Sequence, residues 1–294
     1  MASNHGWGSI GTSRVMRIDD LQIAPLAPNT LIPNWDAEQA RQPDLQQTLD
    51  PSSGNPILSI HSWLVQDRGR NIIIDTGAGN GKSRPHAQYF DHLQTAYLER
   101  LAAAGVEPDQ VDLVLLTHLH VDHAGWNTRL ENGRWVPTFP NARYVFSRAE
   151  LEFFSDPSNY DERHKTSFQV REDSVDPILD AGLAELVEVT GDEVVEGFHF
   201  HSTPGHTPSH VSIEMRSGGE IALFPGDVMH HPVQIAHPSW NSVFDADTER
   251  AASSRAWALD FAAEREAIIF SSHFPLSSKG KVQRAGEAYS WTFV

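Results

Sequence analysis

Within the stretch Thr117-His118-Leu119-His120-Val121-Asp122-His123-Ala124-Gly125, three imidazoles and a carboxylate fall inside six residues. The stretch follows an apolar run, Val111 through Leu116, that reads as a strand buried on both faces. A loop leaving such a strand can aim its side chains at one point from a rigid edge. Zinc usually takes four ligands, and a catalytic zinc leaves one of those positions to water. Four donors this close together exceed that need, so the cluster predicts two ions, or one ion with idle neighbours. Burying these groups side by side without a cation would be costly.

Composition narrows the chemistry. The 294 residues include no cysteine, which removes disulfides, thiol nucleophiles and thiolate metal sites together. Any metal must then be held by imidazole and carboxylate, a donor set that suits zinc, manganese, iron or cobalt. A net charge of −17 sets the surface against phosphate backbones, so no nucleic-acid partner is expected. No run of 18 apolar residues occurs, so no membrane span is expected either. The first eleven residues lack a basic start followed by an apolar stretch, which reads as no secretory signal and a cytoplasmic address.

The elements that must position the cluster can be read from periodicity. Residues 15–23 read as a strand, and residues 57–66 and 70–76 as a hairpin turning at Asp67-Arg68-Gly69. Between them, residues 25–56 form a long Pro-, Asn- and Gln-rich segment, read as a lid or a dimer arm. Residues 86–104 show apolar side chains at Phe90, Leu93, Tyr97 and Leu101, a helical spacing that Gly105 ends. Residues 143–146 read as a strand and 148–154 as a helix, followed by a polar insertion at 155–180. Four strands are expected at 184–189, 198–202, 210–216 and 220–224, then a helix at 247–264 and a last strand at 267–271. Runs of strands separated by helices indicate an α+β layered architecture in a single domain covering 1–294.

The motif His118-x-His120-x-Asp122-His123 resembles that of the metallo-β-lactamase fold superfamily. Four further stretches resemble the rest of that pattern, in order and each at an expected strand end. They are Asp75-Thr76-Gly77, Thr203-Pro204-Gly205-His206-Thr207-Pro208, Phe224-Pro225-Gly226-Asp227 and Ser271-Ser272-His273, within a resemblance spanning residues 57–275. The resemblance implies a four-layer αβ/βα sandwich with two central mixed sheets flanked by helices. It implies two divalent cations, zinc first, with manganese, iron or cobalt as alternatives. His118, His120 and His206 would bind one, and Asp122, His123 and His273 the other, with Asp227 bridging. Asp75 would orient a ligand imidazole or close the strand-end turn.

Such a pair of ions ionises water near neutral pH and clamps the attacking and leaving oxygens of a hydrolysis. The implied reaction is opening of a lactone, or cleavage of a carboxylic ester, by a hydroxide that bridges the ions, with Asp122 passing a proton to the leaving alkoxide. Relatives that reduce oxygen carry a glutamate where His120 stands, and the thioesterase branch has a basic C-terminal segment for which Lys279 and Lys281 are a thin substitute. β-Lactamases that use a cysteine ligand are excluded by composition, and a non-catalytic scaffold would carry eroded ligands where all seven stand here, so a β-lactamase, a thioesterase and a scaffold are weaker readings. Lactonases of the fold usually carry tyrosine three residues after the bridging aspartate. His230 stands there instead, which is more similar to the arylester and organophosphate triester hydrolases of the methyl parathion hydrolase type. His230 is thus a candidate substrate contact beside Asp122 and Asp227. Trp63, Trp126, Phe139, Trp240 and Phe274 are candidate pocket-wall aromatics, with ordinary core packing the competing reading. His199, His201, His210, His231 and His237 are assigned to no metal. The expected partners are a small-molecule ester, lactone or phosphotriester and a second copy of the chain.

Overall fold

A computed structural model of the chain describes residues 6–38, 40, 43–159, 167–286 and 288–294. Residues 39, 41 and 42 of the segment read as a lid or arm, and 160–166 of the insertion, lie outside the described residues. Among the described residues, sixteen strands fall into two seven-stranded mixed sheets and one hairpin, an α+β architecture. The chain divides into two compact units, Met1–Leu21 with Ile60–Val189, and Gln22–Ser59 with Thr190–Val294.

The first unit is built on β1 (Gly8–Ile10), β2 (Ser13–Ile23), β3 (Leu58–Asp67), β4 (Arg70–Ile74), β5 (Leu113–Leu115), β8 (Arg143–Ser147) and β9 (Ala184–Val187), hydrogen-bonded in that order. The hairpin β3–β4 turns at Arg68-Gly69, both at positive φ, as its sequence indicates. From β4 onward the pairings β4·β5, β5·β8 and β8·β9 are parallel. Parallel strands buried on both faces need unbroken apolar runs, which Ile72-Ile73-Ile74 and Leu113-Val114-Leu115 supply. The core below them contains Leu64, Ile73, Tyr97, Leu101, Val114, Phe139, Tyr144 and Phe154.

Residues 86–104 depart from their expected helix. Only Tyr97–Ala103 is α-helical, with a single 3-10 turn at Gln88–Phe90. His92 sits at φ +50, which no α-helix accommodates. The preceding backbone is committed elsewhere: the His92 N–H donates to Lys82 O, the Gly81 N–H to Leu93 O, and the Arg84 N–H to Asp91 Oδ1. A hairpin absent from the sequence reading, β6 (Thr128–Glu131) with β7 (Arg134–Pro137), turns at Asn132-Gly133. Both turn residues have positive φ, and Asn-Gly is the pair that such a two-residue turn favours.

Lys82, in the loop after β4, is fully buried under the Trp135 ring, 3.9 Å from its centroid. It donates to Thr128 Oγ1 (2.7 Å), while Arg84 grips Asp173 with two hydrogen bonds of 2.6 and 2.8 Å. Burial pushes the Lys82 ammonium down to about 7, with Asp173 opposing the shift. A lysine whose native pKa lies below its unfolded value costs stability as pH falls from about 10 towards 7 and costs no more below that. Relative to the wild type, Lys82→Met is therefore expected to gain in stability as pH falls from about 10 to 7, because methionine carries no such titration cost. The gain should shrink as pH approaches 10, read as the difference in Tm between the two proteins across that range. A gain that stays constant with pH would refute the assignment.

In the second unit the order is β10 (Glu193–Val195), β11 (Phe198–Ser202), β12 (Val211–Ser217), β13 (Glu220–Phe224), β14 (Ile268–Phe270), β15 (Lys279–Ala285) and β16 (Ala288–Phe293). β14 occupies the position expected for the last strand, but β15 and β16 follow it as an antiparallel pair. Helix Thr248–Arg265 starts where Asp247 accepts from the Glu249 and Arg250 N–H groups, and it ends at Glu266 in the left-handed region. It buries Ala258, Leu259 and Ala262 against Leu223, Ile269 and Phe274. The 25–56 segment carries two one-turn helices, Pro28–Leu31 and Pro43–Gln46. It has its own small core, in which Leu31, Ile32, Ala40 and Leu45 join Leu58 and Val233. No helix among the described residues is long and apolar enough to cross a membrane.

Candidate metal centre

In the first unit the loop after β5 carries His118, His120, Asp122 and His123. His118 and His123 are buried, and His120 and Asp122 half-buried. Their rings crowd: His118 lies 4.0 Å from His123 and 4.7 Å from His120, centroid to centroid. The loop is stitched to the turn after β4. The Thr76 N–H donates to His123 O (2.6 Å), Gly125 to Gly77 O (2.8 Å) and Trp126 to Thr76 O (2.9 Å).

Asp75 explains which nitrogens face the site. Its Oδ1 accepts from the Thr117 N–H and its Oδ2 from the Thr117 hydroxyl, both at 2.8 Å. The same Oδ2 stands 2.9 Å from His123 Nδ1, so that nitrogen carries the proton. Having spent its hydrogen on Asp75, the Thr117 hydroxyl accepts from His118 Nδ1 at 3.0 Å. Both imidazoles are thereby fixed with Nε2 as the lone-pair nitrogen, the tautomer a metal ligand needs. Asp75 is therefore more than the strand-end turn former, although it does hold φ +51.

Asp20, missed in the sequence, supports this turn. Its buried carboxylate accepts from the Ala78 N–H (2.8 Å), Trp126 Nε1 (3.2 Å) and the Thr95 hydroxyl. Burial raises its pKa, and these donors oppose the rise. Trp126 also stacks on Tyr97 at 5.2 Å, which makes it core rather than pocket wall. Trp63, Phe139 and Phe274 are likewise buried, and Trp240 pairs with His237 at 4.1 Å.

In the second unit three imidazoles surround one buried carboxylate. His206 Nε2 lies 3.2 Å, and His230 Nε2 3.3 Å, from Asp227 Oδ2. His273 Nε2 is 3.0 Å from both carboxylate oxygens. His273 Nδ1 donates to the Ser59 carbonyl at 3.1 Å, which leaves Nε2 as a lone pair pointing at carboxylate lone pairs. Two acceptors face to face at that distance call for a cation between them. Spacings of 3.0–3.3 Å also match the roughly 3.3 Å separating neighbouring donors around a tetrahedral zinc with bonds near 2.0–2.1 Å. Within this unit, Asp227, His230 and His273 form one group able to hold an ion, and His206, His230 and Asp245 another. The residues present fit a metal.

The remaining histidines support or stand apart. His210 Nε2 accepts the Asp227 N–H at 3.0 Å, and its Nδ1 meets Thr203. His231 accepts from the Val233 N–H at Nδ1 and meets Thr48 Oγ1 at 2.7 Å, and burial pushes its pKa down to about 3. His201 pairs with Glu214 at 2.7 Å, and His199 meets Gly191 O. His230 is buried and held below its ordinary pKa by that burial, with Asp227 opposing, so it is a neutral imidazole at neutral pH. Phe244 lies 5.4 Å from its ring.

The family model described as the Metallo-beta-lactamase superfamily matches residues 56–273, about three quarters of the chain. The chain belongs to that superfamily. It is related to N-acyl homoserine lactonases. One from a Bacillus species is 32% identical over 197 residues, covering 60% of this chain and 69% of the relative. Another from Bacillus cereus is 27% identical over 198 residues, with 61% and 67% covered. Among solved structures, the hydrolase AbOPH of the beta lactamase superfamily superposes with a TM-score of 0.82 at 27% identity, covering 100% of this chain and 98% of that one. AidC, described as a dizinc quorum-quenching lactonase, superposes with a TM-score of 0.76 at 23% identity over 98% and 96%, a likeness of fold alone. In this metallo-β-lactamase superfamily member, every motif singled out in the sequence falls at the end of a strand or just after it.

Proposed function

We propose that the chain, acting as one domain, is a dinuclear metal-dependent hydrolase that opens lactones or cleaves carboxylic esters. In this reading His118, His120 and His206 hold one divalent cation, Asp122, His123 and His273 the other, and Asp227 serves both. The carrying observation is the fixed tautomers. Asp75, Thr117 and Ser59 occupy the Nδ1 side of His123, His118 and His273 and leave each Nε2 as a donor. Bound there, a cation pair would ionise water near neutral pH and polarise a carbonyl oxygen. Half-buried Asp122 keeps contact with solvent and can carry a proton to a leaving alkoxide. His230, neutral and beside Asp227, can donate to the substrate oxygen. The lactonase relatives support the substrate class.

A second reading, hydrolysis of organophosphate triesters or aryl esters, rests on His230 standing where lactonases of the fold usually carry tyrosine. Zinc-loaded protein should be assayed on acyl-homoserine lactones, simple γ- and δ-lactones, p-nitrophenyl esters and a paraoxon-type triester. Lactone turnover exceeding triester turnover by at least about tenfold in kcat/KM, a difference of about 1.4 kcal/mol, supports the first reading. The reverse order selects the second. Full activity in chelator-treated, metal-free protein contradicts both.

A further inference from the structure

Behind His206, on the side away from Asp227, lies a second buried carboxylate that the ligand pattern does not contain. Asp245 Oδ1 stands 3.8 Å from His206 Nδ1, while His206 Nε2 faces Asp227. The other oxygen, Oδ2, is held by the Ser242 N–H at 2.9 Å and by Arg255 Nη2 at 3.1 Å. Both charged side chains of that pair are fully buried. The guanidinium has further duties: Nε donates to Val228 O at 2.9 Å, next in sequence to Asp227, and Nη1 donates to Pro238 O at 2.7 Å. One rigid, planar group therefore fixes both the backbone beside Asp227 and the carboxylate behind His206.

The helix that supplies Arg255 also clamps the His206 loop. Ser254 Oγ donates to Pro204 O at 2.7 Å, and the Asp247 N–H donates to Gly205 O at 2.8 Å. At Gly205 a Cβ would lie 2.2 Å from Ala251 N, so that loop rests directly on the helix backbone.

We infer that Asp245 and Arg255 form a positioning pair: Arg255 locks Asp245, whose Oδ1, 3.8 Å from His206 Nδ1 and beyond direct hydrogen-bond reach, sets a negative charge that favours the proton on that nitrogen and leaves Nε2 as the lone pair toward Asp227. This rests on the reading of His206 as a metal ligand and extends it. Carboxylates behind ligand imidazoles act by fixing the tautomer and raising ligand basicity, and their loss typically lowers metal affinity 10–100-fold.

The test uses Asp245→Asn, Arg255→Lys and the apolar double variant Asp245→Leu/Arg255→Met. An asparagine at 245 cannot satisfy both sides: with its oxygen toward His206, its amide N–H₂ meets the Arg255 and Ser242 donors. The double variant removes both buried charges together, which guards against loss of the fold from one unpaired ion. Two readouts are taken: zinc affinity by chelator competition, and the protonated nitrogen of His206 by ¹⁵N NMR of metal-free protein. The expected result is a 10–100-fold weaker zinc affinity in each variant. His206 should be an Nδ1–H tautomer in the wild type and a mixture in Asp245→Asn and the double variant. Wild-type affinity together with an unchanged Nδ1–H signal in those two variants would overturn the inference. Should the wild type bind no zinc at all, the two-cation reading fails by itself, and the tautomer measurement still decides the role of Asp245.

Discussion

Asp227→Ala is expected to lower kcat/KM on the best ester or lactone substrate by at least about 10³-fold, corresponding to several kcal/mol of lost transition-state stabilisation. The reason is local. Asp227 is the single anion that three buried imidazoles share, within 3.0–3.3 Å of His206, His230 and His273. Alanine removes the charge that would make this ring of neutral donors attractive to a divalent cation. Asp245 is not placed to replace it at Nε2: its Oδ1 faces the opposite nitrogen of His206, and its second oxygen is committed to Arg255 and Ser242. Asp227→Asn should be nearly as damaging, because an amide keeps the shape but not the charge. The variant assay needs only the substrate that the wild type turns over fastest. Activity within tenfold of wild type in Asp227→Ala would remove this carboxylate from the mechanism.

A comparably large effect, on folding, is expected at Gly125. A Cβ built there would lie 2.0 Å from both the carbonyl carbon and the carbonyl oxygen of Ala78, closer than any real contact allows. The relation is mutual, since a Cβ at Gly79 would lie 2.6 Å from Gly125 O. Gly125 is not needed for an unusual φ but for backbone-to-backbone packing of the loop bearing His118 to His123 on the turn after β4. Gly125→Ala must push these apart, breaking the Gly125–Gly77 and Trp126–Thr76 hydrogen bonds. A cost above about 4 kcal/mol follows, among the largest that single substitutions produce. In a chain of this size that amounts to a fall in Tm of roughly 6 °C or more. Gly125→Ala with the wild-type Tm would show that the two loops separate freely.

The candidate ligands stood out because they are local in sequence. His118, His120, Asp122 and His123 share one loop after one apolar strand, and the other candidates, His206, Asp227 and His273, each sit in a short Gly- or Ser-containing turn. Asp75 was readable for the same reason. Asp245 was not. The stretch Ser242-Val243-Phe244-Asp245-Ala246-Asp247 reads as the polar approach to a helix, and Asp247 does cap it, so nothing local distinguishes the carboxylate that turns inward. Its role depends on Arg255, ten positions later and inside the following helix. Asp20 was hidden likewise, on an early strand whose partners come 58 to 106 positions later.

Element boundaries failed where tertiary hydrogen bonds overrode local periodicity. The apolar spacing from Phe90 to Leu101 is helical, yet the backbone at His92 and Leu93 and the side chain of Asp91 are spent holding the loop that carries Lys82 and Arg84. The strand β15 escaped notice because its alternation is faint, with only Gly280 and Val282 of Lys279–Ala285 buried, whereas β16 alternates Tyr289, Trp291 and Phe293 with exposed Ser290 and Thr292 and was an available signal. Asn132-Gly133 was likewise an available signal for the β6–β7 hairpin.

The central claim is that two divalent cations share these side chains. The most direct measurement is the metal content of zinc-loaded, exhaustively dialysed protein, wild type beside Asp227→Ala, by elemental mass spectrometry. The account predicts about two ions per wild-type chain and a loss of at least one of them in the variant. A wild-type chain that retains no metal, or an Asp227→Ala chain that retains as much as the wild type, would contradict it.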